Sequence, residues 1–88
     1  MITAVLNFEI NKKFSEWEQS FYNHQTIARA AGIFELYHGH EPNNEHKVCV
    51  IVHALSEQHM QKFMEANDAV IAASGQILKS TNIAIYVN

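Results

Sequence analysis

The chain has 88 residues, 48% of them hydrophobic and 17% charged, with six Lys and Arg against nine Asp and Glu for a formal net charge of −3. That length gives one domain, 1–88, which buries only about 60–65% of its unfolded surface, and a composition this apolar points to an outer face covered by a partner. The basic residues Lys12, Lys13, Arg29, Lys47, Lys62 and Lys79 are dispersed, which argues against nucleic-acid binding, and the longest apolar run, 48–52, is far too short for a bilayer.

Residues 2–10 alternate, with Ile2, Ala4, Leu6, Phe8 and Ile10 on one side and Thr3, Val5, Asn7 and Glu9 on the other. Period two predicts a strand with one strongly apolar face. No charged leader precedes an apolar stretch, so the expected compartment is the cytoplasm. Ser15-Glu16-Trp17-Glu18 fits a capping box, and Trp17, Phe21, His24, Ala28 and Ala31 follow at helical spacing. The spacing predicts a helix over 16–31, ended by Gly32.

Residues 33–40 read as a second strand, and Glu41-Pro42-Asn43-Asn44-Glu45 as a turn. The third strand, 47–54, is apolar on both faces over 48–52, as a central strand covered on both sides would be. Cys49, the only cysteine, excludes an intrachain disulfide and reads as a small buried hydrophobe. Ser56 caps the next helix, with Glu57 in its first turn. Met60, Phe63, Met64, Asn67, Ile71 and Ser74 share one stripe, which reads as one long helix or as two abutting pieces kinked at Asn67-Asp68, and Gly75 closes it. The last strand lies within 76–87.

The order βαββαβ has few compact solutions. Right-handed crossovers place both helices on one face of an antiparallel four-stranded sheet, in the spatial order 4-1-3-2. This is a ferredoxin-like α+β fold. The other sheet face, four strands about 4.8 Å apart and about 20 Å long, spans about 400 Å². Mostly apolar, it is worth up to about 10 kcal/mol before association costs. Either Cys49 and Ile51 or Val48, Val50 and Val52 occupy it. Stacking on a second copy would give a homodimeric α+β barrel.

His24 sits near the centre of the first helical stripe and points at the sheet. A buried imidazole needs partners for its nitrogens, and it reads either as a core histidine or as a pocket-lining acid or base. Asn67 on the second helix, with Asn7 and His53 on the central strands, would complete a polar cluster in an apolar pocket. Trp17, Phe21, Tyr37 and Tyr86 would supply its walls, and such a mixture suits a small aromatic ligand. His38 and His40 share a strand face with His46 across the hairpin. H-x-H alone is a weak metal signal, and solvated hairpin histidines are the expectation, with no metal.

Phe14-Ser15-Glu16-Trp17, Ala31-Gly32-Ile33 through Leu36-Tyr37-His38-Gly39, Gln61-Lys62-Phe63-Met64 and Ala73-Ser74-Gly75 carry a family resemblance. Over its whole length the chain resembles the dimeric α/β-barrel superfamily, which contains the antibiotic-biosynthesis-type monooxygenases. These stretches most resemble a family of unknown function from marine cyanobacteria. Quinone-forming members of the superfamily work without metal or flavin around a phenolic substrate, and Asn7, Trp17, Tyr37 and His53 are compatible with that. Haem-degrading members use an Asn on the first strand with a Trp and a His on the second helix. Asn7 matches the first, but the second helix has Phe63 and no Trp, and His59 lies near its start, so haem degradation is not expected.

The resemblance and the residues together lead to a homodimeric ligand-binding or cofactor-free monooxygenase- or isomerase-like domain, with its pocket between helices and sheet. The rival reading is a non-catalytic stress-related or regulatory dimer whose core is filled by Trp17, Phe21, Met60 and Phe63.

Overall fold

The structure is a computed structural model that describes residues 1–88. Strand β1 (Ile2–Glu9) leads into α1 (Phe14–Asn23) and α2 (Gln25–Ala30), then the hairpin β2 (Ile33–Glu41) and β3 (Asn44–Ala54). Helices α3 (Glu57–Ala66) and α4 (Asp68–Ala73), a 3₁₀ turn at Leu78–Ser80 and β4 (Asn82–Tyr86) complete the chain. The sheet runs β2-β3-β1-β4 with every neighbour antiparallel, which is the expected ferredoxin-like topology. No helix is long and apolar enough to cross a membrane.

The alternation of residues 2–10 sets the core. Ala4 pairs with Val52, Leu6 with Val50 and Phe8 with Val48, so the buried rows of β1 and β3 lie side by side. Helices α1 to α4 cover that side with Trp17, Ala28 and Met60. Trp17 is 2% exposed and stacks on Phe21 at 4.9 Å between ring centroids, with Phe8 at 5.7 Å and Phe14 at 5.5 Å. Val48, Val50 and Val52 therefore face the helices, while Cys49 and Ile51 face the open side with Val5 and Asn7. Cys49 is half-buried there, not enclosed in the core as its apolar neighbours suggested.

The first predicted helix is broken at His24, and the second takes the form of two abutting pieces that meet at Asn67. Backbone angles at His24 (φ −97°, ψ −1°) separate α1 from α2, and those at Asn67 (φ −120°, ψ 15°) separate α3 from α4. Ser56 caps α3 as expected, its hydroxyl accepting from the His59 amide at 3.1 Å. Gly32 ends α2 at φ +83°, where a Cβ would sit 2.7 Å from the Leu55 side chain.

The capping box at Ser15 does not form. Helix α1 starts two residues earlier, Lys13 is its N-cap, and the Phe14 amide donates to the Glu45 carboxylate at 2.8 Å. An anion from the hairpin thus replaces the local serine, satisfying a free amide and meeting the positive end of the helix dipole. Asn44 begins β3, so the turn shrinks to Pro42 and Asn43, and the last strand is shortened by the 3₁₀ turn.

Glu45→Ala should lower the stability by about 1 kcal/mol, the usual cost of losing a helix N-cap, whereas Ser15→Ala should stay within about 0.5 kcal/mol of wild type. Urea unfolding of both variants checks this, and the reverse order would restore the capping box.

Candidate functional site

The helices do not close completely onto the sheet. A cavity of about 110 Å³ remains between Leu6, Phe8, Val50 and Val52 below and Trp17, Phe21, Phe63 and Ile71 around it. Five polar side chains also line it: His24, Gln25, Glu35, Ser74 and Gln76. Three of these are committed to their own surroundings. Gln25 donates to the Phe21 carbonyl at 3.2 Å, Ser74 to the Ile71 carbonyl, and Gln76 to the Thr81 hydroxyl at 2.9 Å. His24 and Glu35 remain as the groups able to meet a guest.

His24 borders the cavity from the joint between α1 and α2, on the same stripe as Trp17, Phe21 and Ala28. Its amide still donates to the Ser20 and Phe21 carbonyls, so the joint is hydrogen-bonded while the imidazole faces inward. Glu35 reaches it because it shares the Ile33 face of β2 and pairs with Val52, whose row faces the helices. Glu35 pairs with Val52 and Tyr37 with Ile51, leaving Leu36 as an extra residue. Residues three apart on a regular strand face opposite ways, but a bulge between them brings Glu35 and His38 to the same side.

His38 then lies between two carboxylates. Its Nε2 is 2.7 Å from Glu18 on α1, and its Nδ1 is 3.4 Å from Glu35. A carboxylate only accepts, so Nε2–H donates to Glu18. The imidazole side chain is only 11% exposed, against the solvated hairpin residue that the sequence suggests. Phe21 lies 5.0 Å from its ring and Tyr22 meets it edge-on at 5.4 Å. The Tyr22 phenol is held above its usual range, by desolvation first and then by the Glu18 carboxylate beside it.

The seven candidate residues do not converge. Trp17 and His24 line the helix–sheet cavity. Asn67 does not: as the C-cap of α3 it turns its amide to donate to the Phe63 carbonyl at 2.8 Å. Asn7, His53, Tyr37 and Tyr86 lie on the other side of the sheet, in register with or beside Thr3, Cys49 and Ile51. There the Thr3 hydroxyl meets His53 Nδ1 at 3.1 Å, and Asn7 and Tyr37 border a broad depression of about 620 Å³ with Lys47, Cys49 and Asn82. Sequence reasoning missed Glu35, because a Glu inside an apolar strand reads as solvent-facing, although its period-two spacing from Ile33 puts both on one face.

Solved structures share this arrangement across the full chain. A Nitrosomonas europaea protein provisionally assigned as an antibiotic biosynthesis monooxygenase aligns over 100% of this chain and 98% of its own, at TM-score 0.69 and 11% identity. One from Bordetella bronchiseptica, assigned in the same way, aligns over 99% and 95% at TM-score 0.73 and 8% identity. SnoaB, a cofactor-independent oxygenase from Streptomyces nogalater, aligns over 99% and 91% at TM-score 0.65 and 12% identity. Identities this low establish the fold, which is that of the ferredoxin-like antibiotic-biosynthesis-monooxygenase domains. No curated protein matches the chain. The family model described as Domain of unknown function (DUF3764) matches residues 1–88, and the chain belongs to that family.

Proposed function

We propose that this chain binds a small single-ring aromatic compound between its helices and sheet, and acts on it as a cofactor-free, oxygenase- or isomerase-like domain. The observation that carries the reading is an apolar cavity of about 110 Å³ between helices and sheet, bordered by the side chains of His24 and Glu35. Apolar cavities of about 150 Å³ stay dry and take up benzene, so a void of this order suits one ring. A core built only for stability is packed without such gaps, because each unfilled cavity costs dispersion contacts.

His24 supplies the chemistry. An imidazole facing a phenolic hydroxyl accepts its proton, and the resulting anion is the electron-rich species needed either for attack on dioxygen or for proton relocation within the ring. The likeness of the fold to that of a cofactor-independent oxygenase supports this class.

The domain works as a homodimer joined through the open sheet face. Phe34, Tyr37 and Tyr86 are 38%, 52% and 60% exposed on that face, around the half-buried Val5, Cys49 and Ile51. An apolar sheet surface of this extent is stable in water when a second sheet covers it.

Trp17 is the only tryptophan and lines the cavity, so its indole N–H resonance reports occupancy. Phenol should shift that signal in a saturable way. Ala28→Leu, which adds bulk at a buried lining position, should abolish the shift and stabilise the fold by about 0.5–2 kcal/mol, as cavity filling commonly does. A wild-type signal that no phenol moves would leave the filled-core regulatory dimer as the better reading. For the assembly, sedimentation should show two chains per particle, and Ile51→Lys should give single chains with unchanged far-UV circular dichroism; single wild-type chains at micromolar concentration would refute the dimer.

A further inference from the structure

We propose that Glu35 makes the cavity selective for an aromatic ring that carries a protonated amine, which names the ligand class within the cavity reading above and rests on it. Glu35 is the only acidic residue lining the cavity, and no Lys or Arg lines it. Its one ionic neighbour is His38, at 3.4 Å, and that imidazole is more closely engaged by Glu18, at 2.7 Å. Two carboxylates share one imidazole. Even a fully protonated ring leaves the group with a net negative charge, and Glu35 is the member that borders the void.

The surroundings reinforce the sign. Trp17 and Phe21 line the void as a stacked pair, and the faces of aromatic rings attract cations. Glu35 has a side-chain exposure of 22%, so its charge is screened less than that of a surface carboxylate. An ammonium at Glu35 would supply the counter-charge that the chain itself does not provide, and a carboxylate in its place would face repulsion without a compensating partner. The ring of the same ligand would fill the apolar part, with any hydroxyl directed to His24.

The inward facing of Glu35 follows from the alternation of β2, and that of His38 from the bulge beyond it. Glu35 shares the inward face of Ile33 and pairs with Val52, and with Leu36 as the extra residue the strand sets His38 behind it on the same side. Bulges that re-aim a side chain beside a pocket are a recurrent device of binding sites.

Benzylamine, benzyl alcohol and benzoate share a ring and a similar reach, and differ near neutral pH chiefly in charge. Titrated against the Trp17 indole resonance, benzylamine should bind at least about tenfold more tightly than benzoate, with benzyl alcohol between them. The isosteric Glu35→Gln should bring the amine-to-benzoate ratio to within about threefold of unity while leaving the alcohol within about twofold of its wild-type affinity. Its thermal unfolding, followed alongside, shows that the variant is folded. Equal wild-type affinity for amine and benzoate overturns the inference, and so does a ratio that survives Glu35→Gln; in both cases binding of the alcohol keeps the cavity reading. If none of the three moves the indole signal, both fall.

Discussion

The packing of Trp17 against the paired rows of β1 and β3 is the contact on which the rest of the molecule depends. Its ring sits between Phe8 on the sheet and Phe14 and Phe21 on its own helix, so one side chain ties α1 to the central strands. An aromatic ring of this size buries about 150–250 Å². It also acts as a spacer. Held off the sheet by a rigid indole, α1 does not settle fully onto Leu6 and Val50, and the gap beside the ring is the cavity. The same contact that secures the fold leaves the void in it.

The irregularity of β2 is the second determinant. Strands β1 and β3 are regular, and their outward residues are those that strict alternation predicts. Strand β2 shifts register twice, between Glu35 and Tyr37 and again between His40 and Glu41. The first shift turns His38 inward beside Glu35, and the edge position of β2 in the sheet makes this inexpensive, because only one neighbour must accommodate it. Glu18, Tyr22, Glu35 and His38 consequently meet at the seam between α1 and β2, where a carboxylate on the helix orients an imidazole on the strand.

Features encoded within a few residues were legible in the sequence. The period-two rows of β1, the Ser56 cap, the left-handed glycines at 32 and 75, and the inward placement of Trp17, Phe21, His24 and Ala28 all follow from local patterns, and all stand in the structure. Features decided by distant partners were not. The N-terminus of α1 is capped by Glu45, 31 residues away, which outcompetes the nearer Ser15. Asn67 shared a stripe with Met64 and Ile71 only on an unbroken helix; at the break its side chain turns to the backbone. The facing of Cys49 depends on which row of β3 meets the helices, and two equally apolar rows carry no signal to decide it. These are the positions where the site was misplaced, since polar residues on both sides of one sheet look alike when only the alternation is known.

The two helix breaks bear on how anything could reach the interior. Helices α2 and α4 have six residues each, under two turns, whereas a helix standing alone in water needs about 12–15 to be even marginally stable. Of the two, only α2 contributes a buried side chain, Ala28, to the core. Fraying of either segment would disturb little of the sheet or of the Trp17 anchor, and would open a doorway beside His24 on one flank or Ile71 on the other. The fold thus has a firm floor and a loosely latched ceiling, so the traffic of small molecules would be governed by the unwinding of single turns, not by any movement of the whole.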